Sequence, residues 1–507
     1  MTKRKEIARL LTAITVGGAL GAAIMWLLAP RSGKETRAEL AGHGLKLIDR
    51  VKSARQKQAR PADLKRISNW GNYPNVDVQF NEFEDLETLR RLIKQADAVI
   101  PRGNGRCYGD SALAPQVIST LRYNKFLAFD DQKGIIQCQS GVLLSEILDV
   151  IVPKGWFLPV TPGTKLITVG GAIGSDVHGK SQHKYGNFSD HVIEFDLMLG
   201  DGSVITCSKE KDSDLFWTTC GGMGLTGLIL NAKLRLIPIE TAYIRQESIK
   251  ARNLDHMMDL YEQSEAWSYS LAWMDCLATG DKLGRGYLMR GEHARLDELE
   301  KTAHQREPLI LKPARKLNVP FYFPGFVLNK LSMRIFNTLL YLKHPAGTVH
   351  SIVDYDTFFY PLDSILNWNR IYGRRGFTQY QFILPKAESR AGFIKILDRI
   401  QRSKVPPFLV VLKLYDKQNS YLPFAMKGYS LAVDFPITDN LFGLLDALDQ
   451  IVLEHGGRVY LTKDVRMKKE MFMQSYPNVE RFINNVRGLN HGTKFRSFQS
   501  DRVGITQ

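Results

Sequence analysis

Three glycine-rich segments hold the residues best placed to do chemistry. The first, Pro101-Arg-Gly-Asn-Gly-Arg-Cys-Tyr-Gly-Asp110, follows apolar Ala98-Val-Ile100, which reads as a strand. Its glycines let the backbone take positive φ and turn N–H groups toward an anion. Arg102 and Arg106 can add charge-assisted bonds. In the second segment, Pro159-Val-Thr-Pro-Gly-Thr164 leads into Thr168-Val-Gly-Gly-Ala-Ile-Gly-Ser-Asp-Val-His-Gly179. Small side chains there allow backbone to approach a large flat ligand. A third cluster, Gly221-Gly-Met-Gly-Leu-Thr-Gly227, precedes the strand-like run Leu228–Leu236.

The third cluster formally contains GxGxxG (Gly222, Gly224, Gly227), but helix-like Asp214-Leu-Phe-Trp comes before it and strand-like residues come after. That is the reverse of the dinucleotide fingerprint, which follows a strand and opens a helix. No Walker A sequence is present either. Three such loops suit a long cofactor with a diphosphate and rings. His178, His183 and His191 have no standard metal-ligand spacing and no thiolate or paired carboxylate motif to complete them, so no metal is expected. Cys107, Cys138, Cys207, Cys220 and Cys276 are odd in number and widely spaced, which excludes a disulfide scaffold.

The elements around the loops alternate between helix and strand. Leu86, Leu89 and Ile93 share a helical face, as do Leu144, Ile147, Leu148 and Ile151; Val192–Leu199 and Ser203–Thr206 read as strands about a Gly200-Asp-Gly turn. With 507 residues, 44% of them hydrophobic, the chain is long enough for two or three domains of an α+β fold. The net charge of +16 is uneven: residues 1–66 hold 15 Lys/Arg against 5 Asp/Glu. The remainder is only mildly basic, which argues against nucleic-acid binding. Leu10–Ala29 is a charge-free stretch of 20 residues, enough for one transmembrane helix, with Gly17 and Gly21 as a GxxxG and Trp26 near its far end. A cleaved signal peptide is the competing reading, but its apolar core is usually shorter. Basic residues on both sides slightly favour a cytoplasmic body, and residues 38–66 read as a basic helical linker against anionic lipid. Residues 18–37 resemble the YtxH-like segment of small bacterial membrane proteins.

The three glycine blocks resemble the FAD-binding domain (PCMH type) of the vanillyl-alcohol-oxidase family of flavoproteins. The likeness runs from about residue 67 to 507, and within the family it is greatest to the enzymes acting on decaprenylphosphoryl ribose. It extends through Tyr360-Pro-Leu-Asp363, Trp368-Asn-Arg-x-Tyr-Gly373, Phe377-x-Gln-Tyr-Gln-Phe382, Val433-Asp-Phe-Pro-Ile437 and Gly456-Gly-Arg-x-Tyr-x-x-Lys-Asp464. The apolar stretch and its basic flank make residues 1–66 a membrane anchor and linker, in which the chain departs from the family; the resemblance implies an FAD-binding domain over 67–241, a substrate domain over 242–457, and a C-terminal segment, 458–507, that returns to the FAD domain.

By the same resemblance the FAD contacts are Pro101, Arg102, Gly103, Asn104, Gly105, Arg106, Cys107, Tyr108, Gly109, Asp110 and Ser111, with Gly163, Thr168, Val169, Gly170, Gly171, Ser175, Asp176, Val177, His178, Leu230 and Tyr460. Relatives that bind FAD covalently use a histidine in the first loop; Arg106-Cys107-Tyr108-Gly109 has none, so noncovalent FAD is expected. Lys463 and His178 are the implied catalytic residues, with Tyr360, Gln379, Gln381, Lys413 and Lys463 around the substrate. Ala432, also in the pocket, departs from the cysteine of mycobacterial relatives, a thiol that hydride chemistry does not require. Gln379 and Gln381 alternate as residues on one face of a strand do.

The implied activity is oxidation of the sugar 2′-hydroxyl of a polyprenyl-phosphate pentose, in cell-wall arabinose-donor synthesis, at the cell membrane. A short-chain NAD(P)H keto-reductase is the implied partner, and Phe321–Leu328 is an apolar candidate for docking the lipid tail. Two other readings stand beside it: an FAD enzyme acting on a soluble alditol, aldonolactone or other alcohol, and a noncatalytic membrane scaffold on a degenerate flavin fold.

Overall fold

The computed structural model describes residues 64–300, 302–311, 316–489 and 494–506. The apolar stretch 10–29, the YtxH-like segment and most of the basic linker lie outside these residues. Where the linker becomes visible, Leu64–Ile67 is a strand and not a helix. Among the described residues no helix is long and apolar enough to cross a membrane.

The segment before the first glycine loop is built as its pattern predicts. Asp85 caps the Leu86–Gln95 helix by accepting from the Thr88 N–H, and Leu89 and Ile93 are its buried face. The following strand is Ile100–Arg102, so the loop begins inside the strand. It runs parallel to Gln116–Ser119, which also pairs in parallel with Val76–Glu82.

Two larger antiparallel sheets follow. The first has the order Phe126–Asp130, Ile135–Gln139, Leu228–Arg235, Val192–Met198, Val204–Ser208. A core including Leu144, Ile147, Val169, Ile173, Phe195 and Phe216 packs with it. Helix Ser213–Thr219 before the third cluster and strand Leu228–Arg235 after it reproduce the helix-then-strand order read from the sequence. The second glycine segment is more regular than its composition suggests. Thr168 accepts from the Gly171 N–H at 3.2 Å and starts a short helix, Val169–Gly174.

The second sheet has eight strands: Thr348–Asp354, Tyr243–Ala251, Gly286–His293, Tyr269–Met274, Val410–Tyr415, Gly428–Pro436, Phe377–Pro385 and Arg458–Val459, in that spatial order. Its two faces differ at the Val410–Tyr415, Gly428–Pro436 and Phe377–Pro385 strands. Leu412, Leu414, Leu431, Val433, Tyr380 and Phe382 belong to the core formed with helices Lys386–Arg402 and Leu441–Glu454. The alternate residues are mostly polar. Cross-strand register puts Gln379 opposite Asp434, Gln381 opposite Ala432, and Lys413 opposite Ser430, so these six side chains share one face.

The C-terminal residues return to the first glycine loop. Val99 and Phe495 form a parallel bridge, the Arg496 N–H donates to Val99 O, and the Phe498 N–H donates to Leu113 O.

Candidate active site

In the first loop the backbone is turned for an anion. From Gly103 to Cys107 no backbone N–H donates to an acceptor among the described residues. Gly105 sits at φ +60°, where an L side chain would be strained. Successive unpaired N–H groups form the kind of concavity that holds phosphate. The loop is braced from behind: the Arg102 guanidinium donates to Asn69 Oδ1, to Ser68 O at 2.9 Å and to Ala112 O at 3.3 Å. Arg106 stacks over Trp70 at 4.1 Å. Asn104 Nδ2 donates to Leu166 O at 2.8 Å, which ties the first loop to the start of the second.

The loop also clasps the turn that carries Lys463. Tyr108 N–H donates to Thr462 O at 3.1 Å, and a Cβ on Gly109 would lie 1.6 Å from Asp464 O. Arg502 closes the clasp, reaching Asp110 Oδ1 at 2.7 Å and Asp464 Oδ2 at 2.9 Å. Lys463 is thereby held with Nζ 3.8 Å above the Tyr108 ring.

Opposite stands the polar face of the large sheet. Gln381 Nε2 donates to His178 Nε2 at 2.9 Å and to Ser430 Oγ at 3.3 Å. Gln379 Nε2 donates to Asp434 Oδ1 at 2.6 Å, and Tyr372 OH donates to Asp434 Oδ2 at 2.8 Å. Tyr415, Phe424 and Tyr460 surround His178 with ring centroids 4.7 to 5.3 Å away. Since Nε2 of His178 accepts from Gln381, its proton sits on Nδ1, a buried atom with no partner among the described residues.

Electrostatics mark the same place. Burial, together with Lys413 and partly offset by Asp434, lowers Lys463 to about 7. Burial alone lowers Lys413 to about 8. Lys180, whose Nζ donates to Phe359 O at 3.2 Å, is lowered to about 7 by burial and then by Lys413. His178 is driven well below its ordinary value by burial and both neighbouring lysines, and is neutral. Burial raises Asp434 to about 6 against the hydrogen bonds from Gln379 and Tyr372. Perturbed groups gathered this way are typical of reactive sites.

The expected residues are not all alike in this arrangement. Lys463, His178, Gln379, Gln381, Lys413, Ala432, Tyr108 and Tyr460 converge. Tyr460 OH donates to Ser175 O at 2.8 Å, which links the second glycine segment to the Lys463 turn. Tyr360 is committed elsewhere: its hydroxyl is bonded to Thr161 Oγ1 and its ring is buried with Tyr355 and Phe359. Asp110 is paired with Arg502, and Leu230 lies in a buried core, its carbonyl accepting from the Ser140 N–H. Asp176 takes the Ser189 N–H and Gln418 Nε2 on its carboxylate. His183 and His191 turn to the carbonyls of Trp267 and Tyr185. Sequence reasoning missed Asp434, Ser430, Tyr415 and Lys180. Asp434 and Ser430 alternate with Ala432 along one strand, a period-2 signal that would have found both.

The residues fit FAD on the structure's own terms. The unpaired N–H groups of the first loop suit the diphosphate. Space at Gly163, where an added Cβ would meet no atom within 4 Å, leaves room for close approach. The unpartnered Nδ1–H of His178 awaits an acceptor. Comparisons with known proteins agree. The FAD binding domain family matches residues 74–208. Decaprenylphosphoryl-beta-D-ribose oxidase of Mycolicibacterium smegmatis is 37% identical over 457 residues, covering 88% of this chain and 98% of its own. An uncharacterized protein of Streptomyces coelicolor is 29% identical over 72% of this chain and its own full length. Delta(24)-sterol reductase of Homo sapiens is 32% identical over 129 residues, a quarter of each chain. The cofactor of this enzyme is FAD, and the chain belongs to the FAD-dependent oxidoreductase family that includes decaprenylphosphoryl-beta-D-ribose oxidase.

Proposed function

We propose that the protein oxidises the 2′-hydroxyl of a polyprenyl-phosphate-linked pentose to the ketone. The observation that carries this reading is the polar sheet face, where Lys463 and Lys413 are held beside Gln379, Gln381 and neutral His178. Bound FAD supplies the hydride acceptor. Lys463 Nζ, lowered to about 7, is neutral in a large fraction of molecules at neutral pH. It accepts the hydroxyl proton as the C–H hydride departs. The resulting ammonium then lies where negative charge has grown, and Asp434 steadies it. Lys413 faces the anionic phosphate of the substrate. His178, with Nε2 occupied by Gln381, acts as a hydrogen-bond donor through Nδ1 and not as a base. FAD would be held noncovalently.

In this reading the apolar stretch 10–29 anchors the chain in the cell membrane with the body on the cytoplasmic side, where the lipid-linked substrate resides. The keto sugar is unfinished chemistry, so an NAD(P)H keto-reductase is the partner that completes an epimerisation toward an arabinose donor. The test is anaerobic mixing of the detergent-purified holoenzyme with polyprenylphosphoryl ribose, followed by flavin absorbance. Bleaching is expected. A flavin band that stays oxidised with this substrate but bleaches with an alditol or aldonolactone overturns the substrate. Absence of any flavin band overturns the enzyme reading in favour of a scaffold.

A further inference from the structure

The helix Lys330–Lys343 is apolar on both sides. Its inner side is secured: Met333 and Phe336 join the core, Asn337 Nδ2 donates to Asp275 Oδ1 at 2.9 Å, and Thr338 Oγ1 accepts from Arg285 Nη2 at 3.1 Å. Asn329 caps the helix by accepting from the Leu331 and Ser332 N–H groups. Its outer side carries Leu331, Ile335, Leu339 and Leu342, which are 45 to 69% exposed. Positions i, i+4, i+8 and i+11 form one continuous stripe. The loop before it adds Phe321 and Phe326, both more than 60% exposed, and Tyr322. Single exposed leucines need no explanation, but a contiguous patch of this kind does.

Charge identifies what covers it. From Pro308 to Val353 the sequence has six Lys/Arg and no Asp or Glu. Lys330, Arg334 and Lys343 lie on the helix itself, and the guanidinium groups of Arg370 and Arg374 sit over the Tyr322 ring at 5.7 and 5.9 Å. A second copy of the chain meeting this face would set like charges against each other across an isologous contact. A bilayer rich in anionic phospholipid offers acyl chains to the stripe and phosphates to its basic rim.

We propose that the Lys330–Lys343 helix and the 321–328 loop form a monotopic docking surface that inserts into an anionic membrane. This surface belongs to the folded body, is separate from the apolar stretch 10–29, and does not depend on which sugar the enzyme oxidises. It is tested on the full-length holoenzyme in nanodiscs of phosphatidylcholine with or without phosphatidylglycerol, by hydrogen exchange. Backbone amides of residues 321–342 are expected to exchange severalfold more slowly in the phosphatidylglycerol discs. The double variant L331E/L339E loses that protection while keeping its flavin band and thermal transition, which shows that it is folded. A tether alone would hold the body nearby without protecting this helix. Equal exchange in the two disc types overturns the proposal. So does protection in phosphatidylcholine that grows with protein concentration, which would make a second copy the occupant.

Discussion

The polar face of the eight-stranded sheet and the outer face of the Lys330–Lys343 helix invert the ordinary partition in opposite directions. At the sheet, Lys413 and Asp434 on its strands and Lys463 on the turn facing them are withdrawn from water; on the helix, four aliphatic side chains are pushed into it. Neither arrangement favours the stability of the isolated chain, because desolvating charge costs free energy and leaving apolar surface wet forgoes it. The sheet gives up stability for reactivity at Lys463, whereas the helix face is completed only by a partner. Unfavourable placement inside a fold therefore points to chemistry, and unfavourable placement outside it points to association.

Substitutions on the buried side should have the largest effects. Lys463→Met is expected to slow substrate reduction of the flavin by about 10²–10⁴-fold in stopped-flow mixing, with the flavin band retained. In the wild type that rate should fall about tenfold per pH unit below about 7, since the neutral amine is the active form; an unchanged rate at low pH would remove Lys463 as the base. Next in size is the clasp. Arg502→Ala leaves Asp110 and Asp464 as buried charges without their partner, and should cost about 3–5 kcal/mol in denaturant unfolding, with faster loss of FAD on gel filtration.

A smaller effect sets the sign of the lysine burial. Lys463 has a folded value below its unfolded one, so its charge penalises the native state below about 7 and that penalty is relieved as pH rises toward its ordinary value of 10.5. The apo form of Lys463→Met should therefore melt above the wild type at pH 6, and the gap should narrow by pH 9. The smallest effect sharpens the contrast: Leu339→Ser, on the exposed stripe, should shift unfolding free energy by less than about 0.5 kcal/mol. A large loss there would mean that the face is packed against the protein itself.

Legibility in the sequence followed contact range. The pairing of Gln379 with Gln381 on one face is period-2 arithmetic, and the rejection of a dinucleotide fold followed from the order of helix and strand about Gly222–Gly227. The loop's capacity to bind an anion was visible in its glycines, but Arg102 is turned away from the loop interior by Asn69 and Ser68, a contact no local pattern announces. Tyr360 sits in a motif shared with relatives, yet its hydroxyl is bonded to Thr161, 199 residues earlier in the chain. The Lys330–Lys343 stripe was missed because a helix apolar on two sides has no amphipathic signature to detect. Lys180 was hidden for another reason: what matters about it is its depth, which is a property of the assembled core.

The clasp at Arg502 also fixes an order of events during biosynthesis. Asp110 meets Arg502 only after 392 further residues have been made, and Lys463 likewise follows the loop it faces. A chain emerging from the ribosome can fold the strands and helix around residues 76–119 and seat Arg102 on Ser68, Asn69 and Ala112, but the clasp on Asp110 waits until Arg502 emerges. Full closure of the nucleotide loop therefore waits for Arg502, and a chain truncated shortly before it would carry all three glycine segments and still lack the residue that ties Asp110 to Asp464 beside Lys463.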